Sequence, residues 1–184
     1  MSRHLLTMSA DLSHGRMILE VIKDNLPAHT LFKKLAFYET RQLLVLRHPP
    51  NGALDIPPCT ITWLEKDAAL ALLDTYPEAL AWTNQPETFQ HVDDTKGLIV
   101  ELPDGSRGWM IFRKQTFYLS HFVLHTEQGD PAKVGHVLLV NIHRNFPMLD
   151  THTENIATDD PHLPAFWNLG YLEAFRRIEM YRDA

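Results

Sequence analysis

With 184 residues, 17 Lys and Arg against 23 Asp and Glu, and a formal charge of −6, the chain has room for one substantial core. Its acidity excludes generic nucleic-acid binding, which needs a basic face to displace counterions from phosphates. The lone cysteine, Cys59, excludes an intrachain disulfide, and no apolar run approaches the ~20 residues of a membrane span. The expectation is therefore a cytoplasmic protein with neither a membrane nor a nucleic-acid partner.

In chain order, residues 5–13 have the pattern of the end of an amphipathic helix. MILEVI (17–22) is aliphatic and β-branched and predicts a buried strand. Asn25 is placed to cap a helix with Pro27 in its first turn, running through AHTLFKKLAF, and RQLLVLRH (41–48) predicts another strand. PPNGALDIPPC (49–59) holds four of the twelve prolines and an Asn-Gly pair, so residues 51–59 are expected to be a linker. TITWL (60–64) then predicts a strand and residues 65–76 an amphipathic helix, before an irregular polar stretch over 77–96. GLIVEL (97–102) and GWMIFR (108–113) flank Pro103-Asp104-Gly105-Ser106-Arg107, a hairpin pattern, and TFYLSHFVLH (116–125) extends the meander. Asp130-Pro131 opens a helix whose apolar positions Val134, Val137, Leu138 and Ile142 share one face. A strand over 148–157, a short helix over 163–171 ending at Gly170 and a strand over 173–182 complete the chain.

Sliding the chain along itself by 134 residues places Glu20 on Glu154, Ile22 on Ile156, Pro27 on Pro161, Phe32 on Phe166, Leu35 on Leu169 and Glu39 on Glu173. The order of predicted elements repeats at the same offset, which favours an internal duplication. The counterpart of the 131–145 helix would start before residue 1, so residues 1–50 match only the C-terminal half of the later copy.

NLPAHTLFKKLAF (25–37) resembles the helix written N-x-x-A-x-x-L-Y-x-x-x-G-F in GNAT acetyltransferases. Asn25, Ala28, Leu31 and Phe37 match, with Phe32 at the Tyr position and Ala36 at the Gly position. Residues 163–171 carry a weaker version with Phe166, Gly170 and Tyr171. The resemblance implies a mixed-sheet α/β fold: a GNAT-like domain over 60–184, preceded by the C-terminal half of a second GNAT-like repeat over 1–50. It further implies acetyl-CoA, or another acyl-CoA, held between the strands at 116–125 and 148–157, against Phe122, Leu124, Lys133, Val134, Gly135 and His136. In the family, the loop entering the following helix reads Q/R-x-x-G-x-G/A and cradles pyrophosphate with backbone N–H groups. Here Asp130-Pro131-Ala132-Lys133-Val134-Gly135 matches only at Gly135; Asp130 brings a negative charge, and Lys133 a side chain able to donate to phosphate.

N-acetyl transfer needs a base for the amine and often an acid for the departing thiolate. His121, His125, Glu127 and Glu154 lie on or near the two strands; His121 and Glu154 are the candidate bases, and each also fits an ordinary hydrogen-bonded strand position. The resemblance places the acid at Phe32 and Phe166, which cannot donate a proton, leaving Tyr171 as the substitute. No metal is expected, because His136 and His143 are seven apart on a helix and strand residues such as His121 and His125 sit ~13 Å apart. Trp82 and Asn84 are candidate walls of an acceptor site. The implied function is acetyl transfer to a small-molecule or peptide amine, with self-association through the partial first repeat. The alternative is a catalytically inactive GNAT-like module with a structural, regulatory or dimerising role.

Overall fold

The structure, a computed structural model, describes residues 15–50, 55 and 57–183. The helix expected over 5–13 and most of the expected linker lie outside the described residues. The elements in order are β1 (Arg16–Ile22), α1 (Leu26–Lys34), β2 (Tyr38–His48), β3 (Thr60–Leu64), α2 (Lys66–Leu73) and a 3-10 turn (Trp82–Asn84). They continue with α3 (Pro86–Gln90), β4 (Thr95–Glu101), β5 (Arg107–Lys114), β6 (Tyr118–Gln128), α4 (Pro131–Asn145), β7 (Asp150–Ala157), α5 (Leu163–Asn168) and β8 (Leu172–Asp183). No helix among the described residues is long and apolar enough to cross a membrane.

Contacts divide the chain into a smaller unit, Met1–Leu43 with Phe175–Ala184, and a larger one, Leu44–Ala174. The division falls inside β2 and β8, whereas the sequence placed its boundary in the proline-rich stretch. Packing cuts the chain there because β8 pairs with β1 residue for residue, Leu19 opposite Met180 and Val21 opposite Ile178. In the smaller unit the strand order is β1-β8-β2, over a core of Val21, Phe37, Ile178 and Met180. The Asn25 side chain accepts a hydrogen bond from the Ala28 N–H at 3.2 Å, so α1 starts where its cap residue dictates.

The larger unit runs β2-β7-β6-β5-β4-β3, parallel between β6 and β7 and antiparallel from β6 through β3. Alternation sorts its strands onto two cores. Met110, Phe112, Phe122 and Leu124 pack under α4 and α5, while Trp109, Ile111 and Val123 pack with Ala69, Leu73 and Phe89 from α2 and α3. The hairpin forms over residues 102–106, with Gly105 at φ 85° and its N–H on the Leu102 carbonyl at 3.0 Å. A Cβ at Gly108 would sit 2.5 Å from the His125 carbonyl oxygen and 2.6 Å from Val134 Cγ1. A backbone atom cannot yield as a side chain can, so Gly108→Ala is expected to cost about 1–3 kcal/mol of stability in urea denaturation.

The 134-residue offset also aligns the structure: β1 falls on β7, α1 on α5 and β2 on β8. The exits of α1 and α5 share a hydrogen-bond pattern. Leu35 N bonds to the Leu31 and Phe32 carbonyls, Ala36 N to Lys33 and Phe37 N to Phe32; Leu169, Gly170 and Tyr171 do the same with Ala165, Phe166 and Trp167. Ala36 takes the left-handed conformation of its counterpart, φ 64° against 82° for Gly170, despite carrying a Cβ. Edge-on aromatic pairs close both turns, Phe32 with Phe37 and Phe166 with Tyr171.

Candidate functional site

The two parallel strands of the larger unit do not stay together. Their ladder has three pairs, Tyr118 with Asp150, Leu119 with Thr151 and Ser120 with His152. At the next residue, His121, the backbone turns left-handed with φ 55°, and the β5–β6 register shifts between Ile111 and Arg113. Asn155 on β7 is left-handed too, with φ 63°. A bulge bends a strand and re-aims its side chains, so β6 and β7 part here and open a cleft. Left-handed non-glycine residues store strain and cluster at functional sites.

At the head of the cleft His121 Nδ1 lies 2.9 Å from Ser120 Oγ, which also accepts from Gln115 Nε2 at 2.9 Å. Burial lowers the His121 pKa and Arg113 pushes the same way, while Glu154 and Asp94 pull against them. Burial thus favours the neutral imidazole, the state a proton acceptor needs. The 3-10 turn reaches the same place: Asn84 Nδ2 is 3.5 Å from the Glu154 carbonyl, and Asn155 Nδ2 donates to Thr83 Oγ1. Asn84 Oδ1, His152 Nε2 and Thr153 Oγ1 are buried without a hydrogen-bond partner among the described residues. Trp82 is half exposed and Asn84 is buried, so only Trp82 offers a surface wall. A depression of ≈ 360 Å³ lined by Arg47, Phe117, Tyr118, Asp150 and His152 approaches this region from the start of the strands.

The far end of the cleft is built differently. Asp130 caps α4, its two carboxylate oxygens accepting from the Ala132 and Lys133 N–H groups at 3.3 Å each. Lys133 Nζ is paired with Asp104 at 2.5 Å and holds that carboxyl at about 2, with the Ser106 backbone assisting. Phe122, Leu124 and Val134 have their side chains in the core, Gly135 is buried, and His136 is half-buried on α4.

Of the expected bases, His121 stands where the β6–β7 ladder stops and feels the charge of Glu154 on β7, whereas His125 packs on Trp109 and Tyr76, and Glu127 pairs with Arg107 at 2.9 Å. Tyr171 is a correction to the expected acid. It is 3% exposed, its hydroxyl is 2.7 Å from His143 Nε2, and burial drives its pKa upward, so it neither meets substrate nor releases a proton. Phe166, at the family's acid position, is fully buried.

No protein-family model matches the sequence, and no curated protein matches it either. Solved structures do. A GCN5-related N-acetyltransferase from Kribbella flavida superposes with a TM-score of 0.69 at 13% identity, over 100% of this chain and 74% of that one. A tandem GNAT protein from the clavulanic acid biosynthesis pathway gives 0.63 at 15%, over 98% and 67%. The fold is that of the GNAT N-acetyltransferases. A conserved protein of unknown function from Staphylococcus epidermidis shares it, with a TM-score of 0.67 at 10% identity over 98% of this chain and 77% of that chain.

The GNAT frame is therefore present, but the residues at the far end of its cleft do not fit an acyl-CoA pyrophosphate. The first free N–H groups of α4, where an anion would bind, are already bonded to the exposed Asp130 carboxylate, which would also repel phosphate. Sequence reasoning missed His162, Thr126 and Asp160, which lie beside that end. The 134-residue offset carried a signal for the first, since His162 falls where the motif helix of the first half has Ala28.

Proposed function

We infer that the larger unit is an acetyltransferase-fold module that does not transfer acyl groups and acts structurally or as a regulatory element. Asp130 carries this reading, because it satisfies from within the N–H groups that an acyl-CoA would need. The burial of Phe166 and the bond from Tyr171 to His143 support it by leaving no proton donor at the expected place. Residues 15–50 are read as a partial second copy, with support from the matched turns after α1 and α5. Under that equivalence the β1–β8 neighbours of the smaller unit correspond to the β7–β2 neighbours of the larger. Each half then supplies its last strand to the other, a role that needs no chemistry. Self-association through the edge strand β1 belongs to the same reading.

A second reading is favoured by one observation, a His121 that burial biases toward its neutral form where the strands part, within the electrostatic influence of Glu154. It is N-acetyl transfer from acetyl-CoA, or another acyl-CoA, to a small-molecule or peptide amine. There His121 would take the amine proton and Glu154 would stabilise the imidazolium.

Calorimetric titration of the full chain with acetyl-CoA separates the two. The expected result is no saturable heat up to millimolar cofactor. Saturable binding in the micromolar range would overturn the structural reading and restore the transferase.

A further inference from the structure

The helix cap is one of two internal closures at the same end of the cleft. His162 is the other. Its ring Nδ1 lies 2.9 Å from Asp160 Oδ1, and that oxygen also accepts the His162 backbone N–H at 2.8 Å. Nδ1 therefore carries the proton, and Nε2 is free to accept from Thr126 Oγ1, 2.9 Å away. Thr126 lies near the end of β6, beyond the point of divergence, and His162 immediately precedes α5, beyond the end of β7. The chain Thr126–His162–Asp160 thus ties β6 to the segment that follows β7. The His162 side chain is only 5% exposed, so it is packed inside at this end.

The neighbouring helix packs closely against the same ring. A Cβ added at Gly135 of α4 would meet His162 Cδ2 at 3.2 Å, His162 Cβ at 3.3 Å and Ala165 Cβ at 3.2 Å. The second turn of α4 therefore lies in contact with the imidazole. At the equivalent position of the first half stands Ala28, which has no ring to place there.

We propose that Asp130 and His162 together close this cleft against pyrophosphate-bearing nucleotide thioesters, Asp130 standing in for the anion at the N-terminus of α4 and His162 filling the passage behind it. This rests on the non-transferring reading above and adds a cause to it: the strand frame remains competent, and two side chains shut it. The head of the cleft is consistent with that division. Asn84 Oδ1 and Thr153 Oγ1 are buried there without partners among the described residues, whereas at the far end Asp130, Thr126 and His162 are all bonded.

The test is gain of binding. Asp130→Ser removes the charge but keeps a helix-capping oxygen. His162→Ala installs the residue that the first half already carries. In calorimetric titrations of the full chain with acetyl-CoA, the double variant is expected to bind saturably, at least about tenfold tighter than the unaltered protein, and to weaken as salt rises. A cooperative thermal melt establishes that the variant is folded. If the unaltered protein is silent and the folded variant is equally silent, the closure proposal fails while the non-transferring reading stands. If the unaltered protein itself binds at micromolar cofactor, it is the non-transferring reading that fails. Should the double variant not fold, Asp130→Ser alone is titrated with inorganic pyrophosphate. A gain of about tenfold over the unaltered protein supports the closure, and no gain overturns it.

Discussion

Replacing Arg41 with alanine is expected to lower the unfolding free energy by about 3 kcal/mol, a large share of the total for a protein of this size. Its partner is the reason. The Glu179 carboxylate, on β8, is 1% exposed, and one oxygen accepts from Arg41 Nε at 2.8 Å and from Thr40 Oγ1 at 3.2 Å. Its other oxygen is 3.3 Å from Arg41 Nη2. Removing the guanidinium leaves a carboxylate out of reach of water, with neutral hydroxyls such as those of Thr40 and Tyr181 in place of the cation. The cost is then desolvation left uncompensated rather than attraction lost. Arg41 itself is 30% exposed, which puts the effect toward the lower end for a broken buried pair. The paired change Arg41→Met with Glu179→Leu removes both charges and is expected to recover most of the loss. Urea denaturation of the three proteins checks this. A single-variant cost under about 1 kcal/mol, or no recovery in the double variant, would show that Glu179 finds other compensation.

That pair also shows what a linear pattern can and cannot convey. Strands β2 and β8 were legible from their aliphatic runs, and α1 from Asn25 and Pro27, because caps, turns and periodicities are local. Glu179 meeting Arg41 was not, since nothing local links residues so distant in the chain. The same contrast governs the cleft. The departure of Asp130-Pro131-Ala132-Lys133 from the family's glycine-rich loop was visible in the sequence. That Asp130 would bond to the N–H groups of its own helix follows from the ordinary preference of Asp for the N-cap. His121 and Glu154 were visible as residues of suitable chemistry on adjacent strands. The left-handed backbone at His121 and at Asn155, beside Glu154, was not visible, since no glycine announces it. Tyr171 was misjudged because an aromatic after a helix-ending glycine reads alike whether its hydroxyl faces a cleft or a buried histidine. Deciding that requires knowing that His143, on the preceding long helix, turns toward it.

His143 supplies the second large effect, a loss of stability in mild acid. Its ring is stacked 4.4 Å from that of His48, which in turn lies 4.7 Å from Tyr171. His48 Nε2 donates to the Leu169 carbonyl at 3.0 Å, and its Nδ1 is buried without a partner among the described residues. Tyr171, its pKa raised by burial, remains a hydroxyl and donates to His143 Nε2. Protonating His143 would bury a charge, turn that acceptor into a second donor and place a cation against the His48 ring. Burial first and His48 second therefore push its pKa from 6.5 down to about 3. In the unfolded chain the same imidazole takes up its proton near 6.5, so below that pH acid favours unfolding. The contribution is fully present above the unfolded value, and it is lost progressively as pH falls from there toward the folded value. At about 1.4 kcal/mol per unit, the loss between pH 7 and pH 4 is about 3 kcal/mol. Carboxylates titrate in the lower part of this window, so the comparison that isolates the histidine is with His143→Leu. That variant is expected to be less stable at pH 7, because the Tyr171 hydroxyl loses its acceptor, yet its stability should fall less steeply toward pH 4. Parallel stability–pH curves for the two proteins would mean that His143 protonates as readily in the folded state as in the unfolded one. The buried His48–His143–Tyr171 stack would then be open to water, and with it the hydroxyl that the non-transferring reading treats as locked.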